Sequence, residues 1–271
     1  MIQTLAFVTL GLYAMSFVCY ARDLYAPNVA LGRLASVLLC LGIIVQYMEL
    51  MYRARATHSI PYDDLYGSMS LFAWLLGVTY LGLEVFHREK SVGAFVTLGL
   101  VVWMAALRVF STKIIPNPGL PRGALFAFHV TLNTWSYAAF ALSFVLSVIY
   151  LIQDRMLRSR RMTTPSWRFP ALDVLDRMAR SSVYIGLIAL AMGVAMGLVY
   201  AWRLDGARVL GDPKVVITAL ILVAYAAYLR LSRSSSWRGA RAARLCALNF
   251  AVVLFSYTFV NLYLTKFHHF H

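Results

Sequence analysis

The side chains best suited to ligand and proton chemistry are the six histidines. In "FHVTLNTWSYAAF", His129 is followed by Asn133 at i+4, Ser136 at i+7 and Tyr137 at i+8. This is one polar stripe on a helix that is otherwise apolar. Such a stripe in a membrane span faces the bundle interior or a wet cavity. It serves either hydrogen bonding between helices or ligation of a metal or cofactor. A second cluster, His268, His269 and His271, ends the chain in "KFHHFH". It reads as a solvated end or as a source of ligands. Two histidines from two spans can hold one haem iron from opposite faces; the residue types alone leave that as one option among several. His58 lies in a loop. His87 stands beside Arg88, Glu89 and Lys90, where solvation explains it.

The remaining chemistry is sparse. The chain has no P-loop, HExxH, GxSxG or paired-carboxylate motif within a span. Glu49 and Glu84 sit near span ends, as proton-path residues or as interfacial carboxylates. Cys19, Cys40 and Cys246 form no CxxC pair, so neither a disulfide framework nor a thiol relay is expected.

The elements that position these residues follow from composition. Of 271 residues, 61% are hydrophobic and 13% charged, against about 45–50% and about 25% in soluble domains. Only lipid covers so much apolar surface. Runs long enough to cross the bilayer occur at about 2–20, 31–52, 66–86, 92–111, 124–152, 182–202, 214–232 and 244–264. Backbone polar groups in lipid are satisfied internally, so the runs predict helices. No alternating pattern points to a barrel. The fold class is an all-α polytopic membrane protein, a bundle of about eight transmembrane helices, with residues 1–271 as a single transmembrane domain. The first run, uncharged until Arg22, reads as an uncleaved span and not a signal peptide.

Eight spans leave both termini on one side, and the basic residues divide unequally between the two sides. The loops of one side carry 15, namely Arg22, Arg88, Lys90, seven arginines from Arg155 to Arg180 and five from Arg230 to Arg244, and Arg33 begins span two on the same side. The other carries nine: Arg53, Arg55, Arg108, Lys113, Arg122, Arg203, Arg208, Lys214 and Lys266. The denser side is cytoplasmic by the positive-inside rule, so both termini face out. The net charge of +14 is therefore a topology signal, and no nucleic-acid partner is expected; the partner everywhere along the spans is membrane lipid. Leu172, Leu175 and Met178 share a face ahead of span six, which reads as an interfacial amphipathic helix or as a plain basic loop.

Four ordered blocks resemble the cytochrome c assembly proteins of the CcsA/ResC type, including their HemX branch. They are "THSIPYDDLYGSMSLFAW", "FHVTLNTWSYAAFALSFVLSVIYL", "LDVLDRMARSSVYIGLIALAMGVAMGLVYA", and the end of the chain from "GDPKVVITALILVAYAAYL" through "WRGARAA" to "FAVVLFSYTFVNLYLTKFHHF". The resemblance covers most of the chain from His58 onward, and its last block is the most specific. It implies a haem-handling protein of the bacterial cytoplasmic (inner) membrane. Haem b would be held at the outer face for attachment to apocytochrome c, with a soluble outer domain supplied by a CcsB-like partner. Carried over residue by residue, the axial ligands are His129 and His268. Arg122, Arg203, Arg208 and Lys214 are the cations available to the haem propionates. The family includes the membrane part of a holocytochrome c synthase, but no catalytic residue carries over.

The sequence departs from the family in "GLVYAWRLDGARVLGDPKV", which lacks the tryptophan-rich haem platform, and at Arg230, where the family has a membrane histidine. These departures define the alternative: a non-catalytic, HemX-like membrane subunit or regulator that kept the fold and lost haem binding. A transporter would instead show broken spans in an inverted repeat, and none is evident.

The charge asymmetry makes a direct prediction. A cysteine placed at Lys214 will be labelled in intact cells by a membrane-impermeant thiol reagent. Labelling only after permeabilisation would reverse the orientation.

Overall fold

The computed structural model describes residues 1–57, 60, 64–109, 123–159, 170–205 and 213–259. Among them are eight α-helices and no strand. The helices are α1 (Ile2–Tyr25), α2 (Val29–Thr57), α3 (Leu65–His87), α4 (Gly93–Ala106), α5 (Ala124–Arg158), α6 (Leu172–Asp205), α7 (Pro213–Leu231) and α8 (Ala240–Phe259). Five of them (α1, α2, α3, α5 and α6) are long and apolar enough to cross a membrane, and α4 and α7 are shorter apolar helices. The chain is a multi-pass membrane protein. His58, Arg122, Arg208, His268, His269 and His271 lie outside the described residues, as do the side chains of Arg203 and Lys214.

Local chemistry sets the helix ends. Asn28 starts α2, its side-chain oxygen accepting from the Ala30 amide at 3.0 Å, and Asp64 caps α3 by accepting from the Gly67 amide at 2.8 Å. Arg88 ends α3 in the left-handed region, at φ 54°. Pro213 opens α7, where a missing N–H costs nothing. The α-helical part of span four is shorter than the apolar run, ending at Ala106 and tightening into a 3-10 turn over Leu107–Val109.

The chain runs up and down. One end gathers the α1–α2, α3–α4 and α7–α8 connections with the facing ends of α5 and α6. There Lys90 reaches the Gly32 carbonyl at 2.9 Å and His87 meets Ser181 at 3.0 Å. The other end holds Met1 beside Tyr52 and Ala56. Helices α1 to α4 enclose one core around Tyr13, Tyr80, Leu100 and Met104, which also takes in Leu146 of α5. A second core, around Phe140, Val183, Leu190, Tyr225 and Cys246, joins α5 to α8. Helix α3 links the two, with the Trp135 indole of α5 donating to Thr79 at 2.9 Å.

The amphipathic segment ahead of span six is not a separate interfacial helix. It is the first turns of α6, continuous from Leu172 to Asp205. Nothing between residues 172 and 182 breaks a helix: there is no proline and no glycine. Its apolar face is not spent on lipid, because Leu175 and Met178 are fully buried in the first core. At about 1.5 Å per residue, α5 and α6 are each ~50 Å long, well beyond the ~30 Å hydrocarbon layer. Their surplus turns carry the i,i+4 ion pairs Asp154–Arg158, Asp173–Arg177 and Asp176–Arg180.

Helices α5 and α6 pack most closely where α6 has glycine. A β-carbon on Gly186 would stand 2.6 Å from the Phe140 ring. That ring has no room to retreat, since its other face is stacked on Tyr225 at 3.8 Å between centroids. Gly186→Ala is therefore predicted to destabilise the folded protein by about 1–3 kcal/mol through overpacking, despite alanine's better helix propensity. Gly82→Ala in α3, where a β-carbon meets nothing within 4 Å, is the control and should be neutral or mildly stabilising. Thermal unfolding of the two variants in detergent measures the difference; equal melting temperatures would contradict the packing account.

Candidate functional site

The polar stripe of α5 faces α6. Phe140, Asn133 and His129 meet Gly186, Gly193 and Gly197 in turn, and Phe126 follows against Tyr200 with ring centroids 6.0 Å apart. The steps are seven, four and three residues on both antiparallel helices. A β-carbon on Gly193 would stand 2.9 Å from the Asn133 side-chain oxygen, and one on Gly197 would run into the His129 imidazole. Small residues that let another helix approach closely are the usual device for joining helices in lipid. Here they also make room for a functional side chain.

His129 is half-buried in this seam. Its Nδ1 lies 2.7 Å from the Gly193 carbonyl oxygen. A carbonyl only accepts, so Nδ1 carries the proton and the neutral ring keeps its lone pair on Nε2. The Asn133 amide donates to the His129 carbonyl at 2.9 Å, and its nitrogen stands 3.1 and 3.3 Å from the two ring nitrogens. Ser136, fully buried, donates to the Asn133 carbonyl at 2.7 Å. Tyr137 leaves the stripe to pack against the second core. Asn133 and Ser136 bond within α5 and His129 bonds across to α6, so the structure shows the stripe's hydrogen bonding. Of the stripe, His129 alone has an unprotonated ring nitrogen, Nε2, which faces the Asn133 amide at 3.3 Å.

A ligating imidazole ordinarily gives its other N–H to a carbonyl or carboxylate, which fixes the ring and its tautomer. His129 has that arrangement. The described residues hold one such group at this end, since His87 stands at the opposite end of the bundle beside Ser181. Among the described residues no three His, Cys, Asp or Glu cluster as a metal site. Of the other expected site residues, Arg203 falls in the last turn of α6 and Lys214 in the first turn of α7. Both helix ends lie on the His129 side of the bundle.

The sequence model of the cytochrome c assembly protein family matches residues 62–268. The chain belongs to that family. It is 29% identical over 239 residues to the protein HemX of Brevibacillus brevis, covering 85% of this chain and 88% of that protein. It is 28% identical over 265 residues to HemX of Bacillus subtilis strain 168, covering 97% and 95%. It is 27% identical over 257 residues to the cytochrome c biogenesis protein CcsA of Prochlorococcus marinus strain MIT 9301, covering 84% and 81%.

Two features of this family member depart from expectation. Neither Glu49 nor Glu84 is interfacial: the first is fully buried and the second 3% exposed. At one end, Glu49 accepts from the Tyr66 hydroxyl at 2.7 Å, Arg108 donates to the Tyr66 oxygen, and the buried Arg53 binds Asp64 at 2.5 Å. At the other, Glu84 accepts from the Tyr20 hydroxyl at 2.5 Å and from Ser36, with Lys90 at 3.6 Å. Glu84 ties α1, α2 and α3 together, and those partners make its burial tolerable, whereas Glu49 bonds only to Tyr66 of α3 and its Oε2 is buried without a hydrogen-bond partner among the described residues. The cysteines are apart in environment: Cys19 half-buried, Cys40 exposed, Cys246 fully buried and 3.4 Å from the Ser143 hydroxyl.

The sequence reading named His129 and its stripe but missed their receptor. Gly186, Gly193 and Gly197 recur on one helical face at the same spacing as Phe140, Asn133 and His129. That matched spacing is the signal that could have paired α5 with α6. Arg53, Tyr66 and Arg108 were missed because their partners come from different helices.

Proposed function

We propose that this protein is a haem-handling membrane protein of cytochrome c biogenesis, acting in the bacterial cytoplasmic membrane. It holds haem b at the outer face, where apocytochrome c is joined to it. His129 supplies one axial ligand through Nε2 and His268 the other. When bound, the haem supplies the vinyl groups to which apocytochrome thiols attach. The observation that supports this reading is the Nδ1 hydrogen bond from His129 to the Gly193 carbonyl, which orients the ring and leaves Nε2 unprotonated, so that haem iron would replace the Asn133 amide there. Arg122, Arg203, Arg208 and Lys214 are the proposed propionate partners, by charge. A CcsB-like subunit is the proposed source of a soluble outer domain, because no connection between spans is long enough to form one.

A second reading is a HemX-like membrane subunit that kept the fold without holding haem. It is favoured by the 97% coverage of this chain in the match to HemX of Bacillus subtilis, and by the lack of tryptophan from residue 203 to 215.

The visible spectrum of the purified protein separates the two. The haem reading predicts a low-spin bis-imidazole spectrum after reduction. That spectrum is abolished by His129→Ala, and weakened or shifted to His269 by His268→Ala. A parent protein that takes up no haem, in the cell or when haem is added, would leave the HemX-like reading standing.

A further inference from the structure

The end of the bundle opposite His129 carries a groove that the functional reading does not use. It has a volume of about 720 Å³ and lies between the last turns of α5 and the first turns of α8. Five arginines line it: Arg155, Arg158, Arg238, Arg241 and Arg244. The one carboxylate in its lining, Asp154, is already bound to Arg158 at 2.9 Å. Arg241 reaches only the Ser236 carbonyl, at 2.9 Å, and Arg244 the Ala240 carbonyl, at 3.3 Å. Among the described residues no carboxylate pairs with Arg155, Arg241 or Arg244, whereas Arg238 interacts electrostatically with Asp176, itself bound to Arg180. The nearest undescribed stretch, residues 160–169, contains neither Asp nor Glu. By contrast Arg177 and Arg180, on the adjoining turns of α6, are each matched by an aspartate.

We propose that this groove binds the phosphate headgroup of an anionic phospholipid. Three guanidinium groups without an acid partner, Arg155 from α5 and Arg241 and Arg244 from α8, converge on one space beside Arg238 of the α7–α8 turn. Guanidinium forks match phosphate oxygens. The space is far larger than one phosphate, and its wall continues into Val148, Leu151 and Ile152. Ile152 is 51% exposed, giving an apolar track along α5 for an acyl chain. A soluble anion would gain nothing from that track, whereas a lipid uses both halves. Basic pockets at the membrane boundary between helices are where acidic headgroups bind.

The test uses the full chain in nanodiscs of mixed phosphatidylglycerol and phosphatidylethanolamine, with the lipid retained after detergent extraction read by native mass spectrometry. The parent protein should retain phosphatidylglycerol selectively. R241Q/R244Q should lower that retention roughly 25-fold, at about fivefold per arginine near a membrane surface. R22Q/R88Q removes equal charge from the same end outside the groove and should lower retention far less, because neither side chain lines the groove. R241K/R244K keeps the charge and should retain most of the binding, while R155Q reports on the groove without touching α8. Equal losses in R22Q/R88Q and R241Q/R244Q would overturn the proposal in favour of diffuse surface charge. Displacement of the lipid by millimolar inorganic phosphate would reduce the groove to a small-anion site, and no selectivity in the parent would end the proposal.

Discussion

The contact on which the rest of the arrangement depends is the antiparallel seam between α5 and α6. Lipid offers helices no hydrophobic reason to associate, so close packing and interhelical hydrogen bonds must join them. Glycines at 186, 193 and 197 let α5 come near enough for Phe140, Asn133 and His129 to nest on the α6 backbone. The same approach brings the Gly193 carbonyl within 2.7 Å of His129 Nδ1. Packing and ligand orientation are thus one event. Any side chain at Gly197 would displace the imidazole, and any shift in register would part Nδ1 from its carbonyl.

The first four helices are held differently. Their interior contains a series of polar bonds running from end to end: the Asp64, Arg53, Tyr66 and Glu49 group; Tyr13 to Gln46 at 2.6 Å, with Gln46 reaching the Ser70 carbonyl at 3.0 Å; and Glu84 with Tyr20 and Ser36. Buried charge is costly in lipid unless paired, and each of these bonds joins different helices. This half is a rigid frame, against which α3 braces α5 through Trp135 and Thr79. The other half, α5 to α8, carries the histidine seam at one end and the arginine groove at the other.

The sequence made some of this legible and hid the rest, for physical reasons. Apolar run length is a one-dimensional property, so the eight helices could be read directly, with errors where continuity was at stake. The turns before Ser182 read as a separate amphipathic helix because their polar face resembles an interfacial one; only the core contacts of Leu175 and Met178 reveal that their apolar face packs against protein. Glu49 and Glu84 read as either proton-path or interfacial carboxylates because distance from a span end was all the sequence offered, while burial depends on partners up to 64 residues away, as Tyr20 is from Glu84. His129 was legible because its polar neighbours share its own helix. Its receptor was not, because glycine marks a close approach only once the opposing helix is known. The proposed second ligand, His268, rests on resemblance and lies outside the described residues.

The central claim is that α6 holds His129 with its proton on Nδ1 and its lone pair on Nε2. Nitrogen-15 NMR of the full chain, haem-free and labelled at histidine, tests it directly, with the His129 signal assigned by its loss in His129→Gln. The account predicts a protonated, hydrogen-bonded Nδ1 and an unprotonated Nε2. A neutral ring protonated at Nε2 would contradict it, because the nitrogen proposed to meet iron would then be occupied and the Gly193 carbonyl would receive no hydrogen bond from the ring.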